Sequence, residues 1–99
     1  MKIFAFDIDH TLEISQWPVT FASIVELRNQ GHIVGLCGNF AVVTMKEHML
    51  ANIKQYVPAE EYVMVGNVFG VSGGSDDQGA AERSGWRFVQ ERLFAEGAR

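Results

Sequence analysis

Four apolar runs recur along the chain, and each is short enough to be a single strand. They occupy residues 3–6, 32–37, 62–65 and 86–89. None shows the strict alternation of apolar and polar residues that is typical of a strand with one solvent-exposed face. β-branched and aromatic residues are frequent in them. This pattern is typical of strands buried on both faces of a parallel sheet.

Segments with helical spacing separate these runs and follow the last one. We predict helices over residues 19–30, 41–56, 78–83 and 90–96, with Pro18 favouring the start of the first and Gly31 its end. The predicted inward-facing residues are Phe21, Ile24, Val25 and Leu27 in the first helix and Val42, Met45, Met49, Ile53 and Tyr56 in the second. Strands and helices that alternate through short connections favour right-handed parallel units. The expected fold class is therefore α/β: a three-layer sandwich around a short, mainly parallel, Rossmann-like sheet of about four strands.

Composition narrows the class of protein further. The 99 residues suffice for one domain, 1–99. A content of 47% hydrophobic and 20% charged residues is typical of a globular chain. A net charge of −4 argues against nucleic acid as a partner. A single cysteine excludes an internal disulfide, no apolar run is long enough to span a membrane, and no signal-peptide pattern occurs. We expect a cytoplasmic protein without a membrane partner.

Polar side chains gather where the predicted strands end. Asp7, Asp9 and Thr11 follow the first run, and Asn39 and Asn67 follow the second and third. Since the carboxyl ends of parallel strands face the ligand crevice, these groups should converge there. Two acids separated by one residue at the edge of a core cost stability unless a cation lies between them, and a divalent metal is the candidate.

These motifs resemble those of the haloacid dehalogenase-like phosphohydrolases. The resemblance rests on Asp-x-Asp-x-Thr-Leu at residues 7–12, on Gly-Asn at 38–39 and 66–67, and on the segment 75–86. It covers most of the chain, and its first motif is specific. It implies a phosphohydrolase core domain that hydrolyses phosphomonoesters, with Thr11 contacting the phosphate or a carboxylate.

The resemblance also implies roles for the acids. Asp7 would attack phosphorus to give an aspartyl-phosphate, and Asp9 would protonate the leaving oxygen and then activate water. Mg²⁺ would be held by Asp7, by the main-chain carbonyl of Asp9 and by a late acid. Asp77 fits the late acid because of its spacing to Gly85, and Asp76 is the reserve; either can also cap the helix that follows.

Two motifs depart from the family pattern. Gly38 and Asn39 stand where a Ser or Thr hydroxyl would bind the phosphoryl group, although their N–H groups can still donate. Asn67 replaces an aspartate, so it can offer the metal an oxygen but no charge, and we expect weaker Mg²⁺ binding. The expected lysine is Lys46, with Lys54 as the second choice; the alternative for Lys46 is an ordinary solvated position.

The intervals 9–18 and 39–62 leave no room for the cap domains that this family inserts. A capless site is open, which suits a phosphate on a large or protruding substrate, or closure by a second subunit in a homo-oligomer. His10 and Trp17 can line such an entrance, although a tryptophan is more often a packing anchor.

Two other functions stay open. The first is a non-catalytic relative that binds metal or phosphate and has lost residues at two motifs. The second is a receiver-like phospho-acceptor, which also gathers acids and a lysine at strand ends but lacks Asp-x-Asp-x-Thr on its first strand. Cys37 is expected to be a small core residue, because Val43 stands where a cysteine phosphatase needs arginine.

Overall fold

The four apolar runs form one parallel sheet. In a computed structural model that describes residues 1–37, 43–70 and 76–99, apart from the side chains of 43–45, the strand order is β2-β1-β3-β4 and every pair is parallel. The strands are β1 (Lys2–Asp7), β2 (Ile33–Cys37), β3 (Glu61–Gly66) and β4 (Arg87–Gln90). The predicted α/β class with a short, four-stranded parallel sheet is confirmed, and the topology is compatible with a Rossmann-like fold.

Helices follow each strand. They are α1 (Phe21–Asn29), α2 (Val43–Tyr56), α3 (Asp77–Arg83) and α4 (Glu91–Ala95), with a short 3₁₀ helix at Glu13–Ser15 between β1 and α1. No helix in the described part of the chain has both the length and the apolar character needed to cross a bilayer. The predicted first residues of α2, 41–42, lie outside the described residues.

Alternate residues of β1 enter two apolar clusters. Phe4 and Phe6 pack with side chains of α1 and α4, whereas Ile3 and Ala5 pack with side chains of α2 and α3. The helical members of these clusters are Ile24, Leu27 and Phe94 for the first and Met49, Leu50, Ile53 and Ala81 for the second. Burial of β1 on both sides is the reason why its sequence lacks alternation.

The first helix starts later than predicted. Thr20 is its N-cap and accepts a hydrogen bond from the Ser23 N–H at 3.2 Å, so Pro18 lies outside the helix. Val19 forms a parallel bridge with Leu12, and both side chains are buried. The prediction of helix from residue 19 was wrong because an N-cap hydroxyl outweighs a proline two residues earlier.

Some residues predicted to face the core are exposed. Phe21 and Val25 of α1 and Tyr56 of α2 face solvent, whereas Leu50 of α2 is fully buried. The prediction that β2 is buried was also wrong: it is an edge strand, and Leu36 keeps 53% of its surface exposed. A strand with a neighbour on one side only cannot be covered as a central strand is.

The late segment agrees with prediction except at its boundaries. Asp76 is the N-cap of α3 and accepts from the Gly79 N–H at 3.0 Å. Trp86 precedes β4 instead of starting it, and its indole N–H donates to the Leu50 carbonyl at 2.8 Å. This hydrogen bond attaches the start of β4 to α2 in the core.

Candidate functional site

Polar side chains meet where β1 and β3 end. Asp7 is the last residue of β1, Asn67 directly follows β3, and Asp77 is the first residue of α3. Their side chains are almost fully buried, with 2% exposure for Asp7 and 0% for Asp77. The predicted convergence of Asp7, Asn67 and Asp77 at one edge of the sheet is present in the structure.

Lys46 supplies the positive charge of this cluster. It lies in the first turn of α2, is buried to 3% exposure, and its Nζ donates to Asp77 Oδ1 at 2.5 Å and to Asp7 Oδ1 at 3.2 Å. The alternative of a solvated helix lysine is therefore wrong. A buried cation shared by two carboxylates compensates part of the cost of removing all three charges from water.

Asn67 makes hydrogen bonds with both acids of the site. Its Nδ2 donates to Asp7 Oδ2 at 2.9 Å and to the main-chain carbonyl of Asp9 at 3.0 Å, and its main-chain N–H donates to Asp77 Oδ2 at 2.8 Å. The Thr11 hydroxyl donates to Asn67 Oδ1 at 3.3 Å. The residue that departs from the family pattern thus holds the two acids in place.

The approach of α3 to β3 requires a glycine before Asn67. A Cβ atom at Gly66 would lie 2.5 Å from Asp77 Oδ2 and 2.9 Å from its Cβ, which is closer than real contacts allow. Gly66 therefore permits the short hydrogen bond between Asp77 and the Asn67 N–H.

The burial of Asp7 changes its acidity. Burial first, and then the negative charge of Asp77, raise the pKa of Asp7 from 3.8 to about 7, while Lys46 works in the opposite direction. For Lys46, burial alone would lower the pKa, but the hydrogen bond and charge of Asp77 outweigh it and the pKa is raised. Asp7 therefore titrates near neutrality beside a lysine that stays charged.

Asp9 has a different environment from Asp7. Its side chain is exposed, and it lies in a tight turn in which the N–H groups of Thr11 and Leu12 both donate to the carbonyl of Ile8. His10, the next residue, has a left-handed backbone with φ of 59° and is also exposed. One buried and one exposed carboxylate, two residues apart, can do different chemistry.

The other predicted site residues lie elsewhere. The Nζ of Lys54, the second-choice lysine, donates to the Gly85 carbonyl at 2.8 Å and lies 5.7 Å from the centroid of the Tyr62 ring. Asp76, the reserve metal ligand, caps α3 and lies 3.6 Å from Arg83.

Gly38 and Asn39, the predicted phosphate ligands after β2, lie outside the described residues. The expected contact of Thr11 with phosphate stays a prediction. Cys37 is buried in the core, as expected, and burial raises the pKa of its thiol to about 11, which makes it a poor nucleophile.

The oxygen donors of this site are of the type that Mg²⁺ prefers. Asp7 Oδ2 and the carbonyl of Asp9 both accept hydrogen bonds from Asn67 Nδ2, at 2.9 and 3.0 Å, so this amide nitrogen occupies the point that the two oxygens face. A cation bound by these two oxygens would have to displace the amide. Over residues 1–37, 43–70 and 76–99, no group of three Asp, Glu, His or Cys side chains forms a metal-binding cluster. Main-chain and amide oxygens would therefore have to complete the coordination.

The contact between Arg92 and Trp17, beside the site, could not be predicted from the sequence. The guanidinium of Arg92 lies 5.5 Å from the centroid of the Trp17 ring, and the rings of Trp17 and His10 form a T-shaped contact at a centroid distance of 5.1 Å. His10 and Trp17 were expected at the entrance, but nothing local in the sequence links Arg92 to them. Only the packing of α4 beside the turn after β1 brings it there.

No known family, curated protein or solved structure matches this chain. The geometry of the site is thus the basis for assigning a function.

Proposed function

We propose that this chain is a Mg²⁺-dependent phosphohydrolase with a capless, three-layer core like that of the haloacid dehalogenase-like family, and that it hydrolyses phosphomonoesters through an aspartyl-phosphate. The observation that carries the proposal is the pair of acids at the end of β1. Asp7 is buried between Lys46 and Asn67, and Asp9, two residues on, is exposed.

Asp7 is the nucleophile in this proposal. Its carboxylate attacks phosphorus, and the ammonium of Lys46 offsets the repulsion between two anions. Mg²⁺, when bound, supplies further positive charge against the phosphoryl oxygens. The residues that would hold it are Asp7, Asp9 through its main-chain carbonyl, Asn67 through its amide oxygen, and Asp77.

Asp9 is the acid and base. Its exposed side chain can reach the leaving oxygen of a substrate in the open crevice, to which it gives a proton, and can then take a proton from the water that cleaves the aspartyl-phosphate. The carbonyl of the same residue bonds to Asn67, so the turn that carries Asp9 is held against the sheet.

The pKa of Asp7 sets a pH requirement. The attacking group is the carboxylate, and its pKa of about 7 means that roughly half of it is protonated at neutral pH before metal binds. Activity that depends on this group should rise as the pH increases through 7, and bound Mg²⁺ should move the rise to lower pH.

A second function is favoured by one observation. Both carboxylate oxygens of Asp7 accept hydrogen bonds, from Lys46 and from Asn67. A carboxylate engaged on both oxygens is a weaker nucleophile, which favours a non-catalytic module that binds metal or phosphate.

An assay with an aryl phosphate and Mg²⁺ separates the two functions. We expect turnover by the wild type, loss of it in Asp7→Asn and Asp9→Asn, and no change in Glu26→Gln, which removes an exposed acid from α1. Circular dichroism checks that the variants fold. A phosphoryl adduct detected by mass spectrometry after acid quench, and absent in Asp7→Asn, supports the covalent step. Binding of Mg²⁺ or phosphate without turnover on a panel of phosphomonoesters would instead support the binding module.

A further inference from the structure

A cleft of about 570 Å³ lies beside the turn that carries Asp9. Its walls are Ser15, Gln16, Trp17, Pro18 and Arg92. The cleft is reached from the site through His10, which follows Asp9 in the chain and touches the ring of Trp17. The turn that carries Asp9 and the wall of the cleft are therefore in contact through His10 and Trp17.

The wall formed by residues 8–19 is internally bonded. The Ser15 hydroxyl donates to the Ile8 carbonyl at 3.1 Å, the Trp17 N–H donates to the Leu12 carbonyl at 3.2 Å, and Leu12 and Val19 form a bridge. These bonds place Trp17 before any ligand arrives, so little ordering is needed on binding.

Arg92 gives the cleft a positive charge that no nearby carboxylate neutralises in the described chain. Arg83 and Arg87 form salt bridges with glutamates, whereas no carboxylate in the described chain, which includes every Asp and Glu of the sequence, lies within 4.0 Å of a side-chain nitrogen of Arg92. The guanidinium of Arg92 lies instead over the ring of Trp17, which orients it by a cation–π contact.

We propose that this cleft binds a second anionic group of the substrate, a carboxylate or a phosphate, through Arg92. This inference rests on the proposed phosphohydrolase function and narrows its substrate to phosphomonoesters whose leaving alcohol carries another acid group. A planar guanidinium matches both anions by paired hydrogen bonds. Lys46 serves the phosphoryl group that reacts, and Arg92 serves the anion on the group that leaves.

Kinetics with matched substrates tests the proposal. Phenyl phosphate lacks the second anion, 4-carboxyphenyl phosphate carries a carboxylate, and 1,4-phenylene bisphosphate carries a phosphate. We expect kcat/KM of the wild type to be about tenfold higher for one or both doubly acidic compounds than for phenyl phosphate. A factor of this size is what one charge-assisted hydrogen bond contributes. Arg92→Gln should abolish this preference by lowering kcat/KM for the doubly acidic compounds about tenfold. Arg28→Gln, which removes an exposed arginine from α1, should keep it.

Titration calorimetry in EDTA gives a readout that does not depend on turnover. Tighter binding of a doubly acidic compound than of phenyl phosphate, lost in Arg92→Gln and kept in Arg28→Gln, supports the cleft even if no compound is hydrolysed. In that case the phosphohydrolase function fails and the anion site stands. Equal affinities for all three compounds, or a preference that survives Arg92→Gln, would overturn the proposal. The compound that shows the preference tells carboxylate from phosphate.

Discussion

Replacing Asp7 by asparagine should stabilise the protein, relative to wild type, more near neutral pH than in acid. Asp7 has a pKa of 3.8 in an ordinary environment and of about 7 in the fold, so the folded state binds its proton more tightly than the unfolded state does. Stability linked to Asp7 is thus present below pH 4 and is lost as the pH rises towards 7. Asp7→Asn has no such loss because asparagine does not titrate.

The size of the effect follows from the shift. A change of about three pKa units corresponds to about 4 kcal/mol over the whole titration. About 3 kcal/mol of it is the expected growth in the stability difference between Asp7→Asn and wild type from pH 4 to pH 7, because Asp7 is still about half protonated in the fold at pH 7. We predict only how the difference in unfolding free energy changes with pH, and not its absolute value. The substitution also alters the hydrogen bonds of Asp7 with Lys46 and Asn67, and the free-energy contribution of these altered contacts should vary little over this interval.

Urea unfolding of both proteins at four pH values between 4 and 8, in EDTA, measures this difference. Glu26→Gln serves as the control, because an exposed acid on α1 should give a difference that stays nearly constant with pH. A stability difference for Asp7→Asn that is flat, or that falls as the pH rises, would mean that Lys46 dominates and that the carboxyl is ionised well below neutrality.

Three further substitutions test the site. Lys46→Met leaves two buried carboxylates without their cation. We expect the free energy of unfolding in urea to fall by about 3–5 kcal/mol at pH 8 and by less at pH 4. Equal stability of variant and wild type at pH 8 would contradict the buried ion pairs. Gly66→Ala should cost about 1–3 kcal/mol because its Cβ meets Asp77, whereas Gly35→Ala, whose Cβ meets nothing within 4 Å, should be nearly neutral in the same assay. Asn67→Asp should bind Mg²⁺ at least about tenfold more tightly in calorimetry, because a carboxylate replaces an amide beside the Asp7 carboxylate; unchanged affinity would remove this position from the metal site.

The strands and most helices could be predicted because their signals are local. The run 3–6 lacks alternation because both faces of β1 are buried, and Asp76 caps α3 by a hydrogen bond that spans only three residues. The error on β2 occurred because burial of a strand depends on its position in the sheet. Nothing in the apolar sequence of β2 indicates that it lies at the edge, with Leu36 exposed.

The amino-acid sequence by itself determined which chemical groups are present at the strand ends: two acids at the end of β1, an amide after β3 and a late acid at the start of α3. Only the tertiary structure decided how they pair. In the fold, Lys46 and not Lys54 contacts Asp7. Asn67 donates a hydrogen bond to the same acid, 60 positions away, and the guanidinium of Arg92 lies over the ring of Trp17. The physical reason is that a short pattern reports the conformational preference of its own segment. The contact between two distant side chains depends on the register of the strands and on where each helix packs, and no local pattern encodes either.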